Sequence, residues 1–209
     1  MHNALHSLLL SLLLLAAPAA GHCTESERPH APTTCTHDDA LIYVLPIREE
    51  IMPATTRLVS RCLAEAAALE AACVVVDMNT YGGLLDAADS IRTMLLNYPA
   101  PTVTFVNNQA ASAGALIALA TDSIYMRPGA SIGAATVVDQ RGEVMPDKYQ
   151  SFMRSMMRAT AEAHGKTASV ERGDTVWRWR RDPQIAEAMV DPSVEIPGLV
   201  DDTKVVTMT

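Results

Sequence analysis

The chain has 209 residues, 49% of them apolar, and a formal net charge of −8. That length supplies one sizeable core and makes a single domain the default. The acidic balance, with no basic run, excludes nucleic acid as a partner.

Leu8–Leu15 is an apolar core, and Ala16-Ala17-Pro18-Ala19-Ala20-Gly21 follows it as a small-residue cleavage region. The run is too short for a comfortable bilayer span, so residues 1–21 read as an export signal. Export would bring the chain to the periplasm or the extracytoplasmic face of a membrane. The positive charge usual before such a core is missing, since only His2, His6 and the amino terminus precede it. An uncleaved anchor and a buried helix are the alternatives. Bulky His22 argues against lipid attachment at Cys23, where a small residue should precede.

Residues 22–39 are polar, contain prolines and threonines, and read as a linker. Of the four cysteines, Cys23 and Cys35 flank this stretch, which leaves a disulfide between them open in an oxidising compartment. Cys62 and Cys73 fall in helix and strand patterns and read as core thiols. No CxxC pair and no His/Cys/carboxylate cluster has ligand spacing, so neither a metal nor another cofactor is expected.

The folded part, residues 40–209, begins with a buried-strand run, Leu41-Ile42-Tyr43-Val44-Leu45. Pro53 can open a helix at its first position. Leu58, Cys62, Ala66 and Leu69 then recur at helical spacing, with Val59 and Leu63 beside them. Cys73–Val76 is a second strand, and Gly82-Gly83 a turn. Leu84, Ala88, Ile91 and Leu95 mark a second helix, Thr102–Val106 a third strand and Ala113–Ala120 a short apolar helix. Ser123–Met126 is a fourth strand, closed by Pro128-Gly129. Lys148 to His164 reads as a long helix with Phe152, Met156, Ala159 and Ala163 on its apolar stripe, and the region from Gly173 on is mixed. Strands alternating with helices predict an α/β fold with parallel pairing, and continuous apolar strands predict cover on both faces.

One segment stands out for chemistry. Gln109-Ala110-Ala111-Ser112-Ala113-Gly114-Ala115 puts a lone hydroxyl among small residues where a strand pattern becomes a helix pattern. A helix starting there points free N–H groups at whatever the hydroxyl attacks. Asn79-Thr80-Tyr81-Gly82-Gly83 supplies a second loop whose backbone can approach a substrate. The pair resembles a nucleophile facing an oxyanion hole.

A serine hydroxyl needs a base. Five of the six histidines lie in the leader or linker; the sixth, His164, ends a charged, exposed-looking helix, so a Ser-His-Asp triad is poorly supplied. A lysine works as base only when neutral, which burial can arrange. Only Lys148, Lys166 and Lys204 are available. Lys166 looks like a helix C-terminal cap, and Lys204 sits in an acidic tail. Lys148 follows a Gly–Pro loop and starts an amphipathic helix, so it is the candidate. The plainer alternatives are that Ser112 is a helix N-cap, Lys148 a solvated surface residue, Gly82-Gly83 an ordinary turn, and Asp77 and Asp86 caps or solvated carboxylates.

The chain resembles the NfeD-type membrane-associated serine proteases of the Clp protease and crotonase fold group. The matching stretches are residues 41–47, 75–88, 111–120 (with Ala111-Ser112-Ala113-Gly114), 124–135 (with Ser131-Ile132-Gly133-Ala134-Ala135) and 182–190. The resemblance spans roughly residues 40–209. It implies a repeated ββα superhelix of mostly parallel strands covered by helices. It also implies a Ser-Lys dyad endopeptidase with Ser112 as nucleophile and Lys148 as general base. Gly83 and Ala113 would then be the oxyanion donors, with Gly82 making room. The implied substrates are apolar segments of stomatin-like membrane proteins, and the implied assembly is a homo-oligomer. Family chains usually run on past the position of Thr209, which makes an incomplete final layer an expectation. Tyr81 stands where a proline is common, so the turn is less rigid. Two rival readings remain: an inactive protease-like module that binds hydrophobic peptides or a membrane partner, and a crotonase-type thioester enzyme, which export argues against.

Overall fold

The computed structural model describes residues 40–198 and 206–209. The leader, the whole linker with Cys23 and Cys35, and Lys204 lie outside the described residues. Strand β1 (Ile42–Ile47) is followed by helix α1 (Pro53–Ala68), β2 (Cys73–Thr80), α2 (Leu85–Leu96) and β3 (Thr102–Ala111). Next come α3 (Ala113–Leu119), β4 (Ser123–Met126), β5 (Ser131–Gly133) and α4 (Asp147–Glu162). The strands β6 (Lys166–Glu171) and β7 (Asp174–Trp179), helix α5 (Pro183–Ala188) and β8 (Thr207–Met208) complete the order.

The main sheet runs β1-β2-β3-β5-β8, with β4 also paired to β3. All its pairings are parallel except β5 with β8. One strand serves two neighbours: the first half of β3 pairs with β4 (Val103↔Ser123 to Val106↔Met126) and its second half with β5 (Gln109↔Ser131 to Ala111↔Gly133). Against β2 the register jumps from Met78↔Val106 to Thr80↔Ala110. β3 therefore carries two extra residues there, and such an irregularity bends a strand and re-aims its far end. The ends of β2 and β3 leave the sheet side by side.

The core follows the apolar pattern. Leu45 and Ile47 of β1, Val74, Val76 and Met78 of β2 and Val106 of β3 are fully or nearly fully buried. They meet Val59, Leu63 and Ala66 of α1 and Ala88, Ile91 and Leu95 of α2. All seven residues of α3 are buried. Burying Leu116 and Ile117 there contributes about 1.5–3 kcal/mol each. Pro53 opens α1 at its first position, as expected. Cys73 is a buried thiol and Cys62 packs half-buried against the core.

Several details differ from the sequence reading. Leu58 and Leu69 are exposed, so the buried stripe of α1 is centred on Val59 and Leu63. On α4 the buried residues are Gln150, Met153, Met156, Met157, Thr160 and Ala161, while Phe152 is exposed. The stripe is rotated because α4 packs on α3 and α5. β2 is covered on both faces, but Ile42 and Val44 of edge strand β1 are open on one. Residues 166–179 form an antiparallel hairpin rather than an irregular stretch, with Lys166 at its start rather than capping a helix.

Candidate active site

Ser112 sits between β3 and α3 with φ 53° and ψ −119°. Few L-residues adopt that pairing, because it crowds the β-carbon against the backbone. The strain is held by neighbouring hydrogen bonds. Ser112 N–H donates to the Gly133 carbonyl at 2.9 Å, and its own carbonyl accepts from Ala115 N–H, also at 2.9 Å. Ser112 occupies the N-cap position, yet its hydroxyl makes no capping hydrogen bond. The plain capping role is therefore not what the hydroxyl does.

The double-glycine loop meets this serine directly. A β-carbon placed on Gly82 would lie 2.7 Å from Ser112 Cβ and 3.1 Å from its Oγ. Only glycine lets the loop come this close, and φ of +117° there favours glycine as well. The next peptide is fastened on both sides: Ile51 N–H donates to the Gly82 carbonyl and Leu84 N–H to the Ile51 carbonyl, each at 2.8 Å. Within the described residues the N–H groups of Gly83 and of Ala113, the first residue of α3, donate no hydrogen bond. Two backbone donors without a partner thus lie one residue along the chain from Gly82 and Ser112, whose contact brings the two loops together.

Sequence reasoning missed Thr80 and Ile51. The buried Thr80 hydroxyl donates to the Glu49 carbonyl at 2.7 Å and accepts from Gly82 N–H at 3.1 Å. Its methyl fills the space a side chain at Gly114 would need, so α3 packs flush on the end of β2. The signal available was a β-branched polar residue just before the glycines. Nothing in the local pattern marked Ile51, whose peptide is recruited from 31 residues upstream of Gly82.

The candidate bases fare differently. His164 is buried rather than exposed, and its Nε2 lies 2.8 Å from the Leu119 carbonyl. Arg181 donates to the same carbonyl, and burial pushes its guanidinium down to about 10. Both cap the C-terminal end of α3, about 10 Å of helix away from Ser112 at ~1.5 Å per residue, so His164 is not its base. Lys148 is exposed at the second position of α4, with Nζ 4.8 Å from the Tyr149 ring centroid. It makes no hydrogen bond to Ser112. The expected buried amine is thus a surface one, because α4 begins at the molecular edge. The helix start is firmly held: buried Gln150 accepts from Val137 N–H at 2.9 Å and donates to the carbonyls of Val137 and Met145. Asp77, read as a cap or solvated carboxylate, is buried and paired with Arg48 and Asn107. Asp86 accepts from Ala87 N–H in the first turn of α2. Among the described residues no group of His, Cys, Asp or Glu could hold a metal ion.

A mainly parallel sheet whose strand ends present a strained serine to a double-glycine loop defines a Clp protease/crotonase-like fold. The chain belongs to the NfeD1b N-terminal-domain family, whose model matches residues 41–209. It is 33% identical over 154 residues to "Membrane protein NfeD1b" of Bacillus subtilis (strain 168), covering 74% of this chain and 32% of that protein. It is 28% identical over 138 residues to "Membrane-bound protease PH1510" of Pyrococcus horikoshii, covering 62% of this chain and 31% of that one. The chain therefore spans about a third of the length of these relatives. Two solved structures of the 1510-N membrane-bound stomatin-specific protease share the fold, each with a TM-score of 0.65. One, a serine-to-alanine mutant, is 24% identical, with 81% of this chain and 73% of that one covered. The other, a lysine-to-alanine mutant in complex with a substrate peptide, is 23% identical, with coverages of 83% and 70%.

Proposed function

We propose that the chain is a serine endopeptidase in which Ser112 attacks a peptide carbonyl, Lys148 takes the serine proton, and the N–H groups of Gly83 and Ala113 hold the oxyanion. Lys148 then returns the proton to the leaving amine, and water releases the acyl group by the same route in reverse. The observation that carries the reading is the Ser112 hydroxyl, uncapped at φ 53° and packed on Gly82. A serine kept only as a helix cap has no reason to hold that backbone strain or to leave its hydroxyl unbonded.

The substrates we assign are apolar segments of stomatin-like membrane proteins, cut outside the cytoplasm by a homo-oligomeric form of the protein. The support is the stomatin-specific protease among the structural relatives and the apolar side chains exposed near the site, Tyr81 and Leu84. Lys148 enters the mechanism when substrate or a second copy covers it, because an amine accepts a proton only once its charged form is disfavoured.

The test uses an apolar membrane-segment peptide and a fluorophosphonate probe. Cleavage and labelling should both stop in Ser112→Ala, while Lys148→Ala should lose turnover and keep peptide binding. Cleavage that persists in Ser112→Ala overturns the proposal. Peptide binding without turnover, unchanged by Lys148→Ala and without labelling of Ser112, replaces it with the inactive binding module.

A further inference from the structure

The hairpin of β6 and β7 packs on itself and leaves its own apolar face open. Its register pairs Lys166 with Trp179, Ala168 with Trp177 and Val170 with Thr175. In an antiparallel pair opposed residues share a face, and alternate pairs share the same one. These six side chains therefore line one face, where Val170 is 76% exposed, Trp177 61% and Trp179 39%. The other face carries the ion pair of Arg178 with Glu171. The chain contains only two tryptophans, and both are here. A two-stranded hairpin gains little stability alone in water, and two large aromatic faces turned to solvent reduce its stability further.

Charge distinguishes what could cover this face. The hairpin, residues 166–179, holds three basic and two acidic side chains in a protein whose net charge is −8, and with Arg178 paired to Glu171 on the other face, Lys166 and Arg172 are the cations left beside the tryptophans. Lys166 lies over the Trp179 ring, its Nζ 4.3 Å from the centroid. An ammonium above an indole, with Arg172 at the tip, suits the level of lipid headgroups, where the ring enters the acyl boundary and the charge stays among phosphates. The tip, Glu171-Arg172-Gly173-Asp174, is charged, which rules out insertion end-on. A six-residue strand lying flat covers about 20 Å, and its outer backbone groups stay within reach of interfacial water.

We propose that this face binds an anionic lipid bilayer, with the hairpin lying in the headgroup plane. The proposal stands apart from the Ser112 reading, since it uses no residue of that site. The two tryptophans make the test direct, because all indole emission comes from this face. The full chain is mixed with vesicles of equal parts phosphatidylcholine and phosphatidylglycerol, and with phosphatidylcholine alone. Expected are a blue shift of emission and co-sedimentation with the anionic vesicles, both weakened by added salt. Trp177→Ser with Trp179→Ser, and separately Lys166→Glu with Arg172→Glu, should each lower the partition coefficient on the order of tenfold. The paired variants separate this face from the apolar leader. No co-sedimentation, or co-sedimentation that both variant pairs leave unchanged, overturns the proposal. So does a blue shift that appears on concentrating the protein without lipid, together with a doubled mass, which would assign the face to a second copy.

Discussion

Gly83→Ala is the sharpest probe of how the donor loop is held. The new β-carbon would fall on the Ile51 carbonyl oxygen and within 2.5 Å of the Ile51 nitrogen. Neither atom is the end of a flexible side chain. Ile51 is fully buried and tied to the loop by the two 2.8 Å hydrogen bonds on either side of Gly83. Accommodating the methyl means releasing those bonds, at about 1 kcal/mol each. It also means holding alanine at φ +152° or moving away from it, at roughly 1–2 kcal/mol more. The sum, about 3–4 kcal/mol, should lower Tm by roughly 6–16 °C in a domain of this size. On the proposed mechanism the released peptide loses its place as oxyanion donor, so fluorophosphonate labelling should fall by ~10²–10³. Gly129→Ala is the control: its β-carbon meets nothing within 4 Å, so only the strain of φ +83° is added. Denaturant unfolding and labelling rates, read on both variants, decide the matter. Gly83→Ala with wild-type stability and labelling would refute this account of the loop.

Ser112→Gly should raise stability by about 1 kcal/mol, because glycine carries φ 53° without strain, while Ser112→Ala should not; thermal unfolding of the two separates strain from hydroxyl chemistry. Thr80→Val strands the buried Gly82 N–H and should cost about 1–3 kcal/mol and slow labelling, with Thr80→Ser restoring both. Asp191 holds its carboxyl below the usual range because the hydroxyl and N–H of Ser193 donate to it, with Arg154 beside it. Its native state therefore binds a proton less readily than the unfolded chain. The stability it adds is complete above the ordinary carboxylate range near ~4 and is lost as pH falls through the lower native value. The stability gap between wild type and Asp191→Asn in urea should close over that descent.

The sheet was legible because its strands are short apolar runs and its glycine pair and small-residue segment punctuate them. Ser112 and Gly82 meet because both loops come after strand ends in a parallel sheet, where neighbouring ends must lie together. The faces of α4 were not legible. Met153, Met156 and Met157 all lie on the buried side, but exposed Phe152 drew the expected stripe away from them, and Thr160 goes inside by donating to the Met156 carbonyl at 2.7 Å, so polarity misled. The hairpin hid for a related reason. Arg178 between Trp177 and Trp179 is good strand alternation, but no buried face gives it the apolar contrast that marks a core strand. His164 looked exposed on charge, yet it is enclosed by an acceptor 45 residues away, Leu119.

Lys148 separates rigidity from enclosure. Ser112 and the Gly82-Gly83 loop are fixed by backbone bonds of this chain, so the proposed nucleophile and donors are held within a single copy. The amine is anchored only at its backbone, through Gln150, and its side chain is open. A site so divided should switch on with cover rather than with internal rearrangement. The labelling rate per chain should therefore rise with protein concentration, in step with the mass measured by sedimentation, as a second copy closes over α4. Lys148→Ala should flatten that rise and leave the assembly intact. A labelling rate that stays constant while the mass increases would show that self-association does not complete the site, and would leave substrate as the only cover for the base.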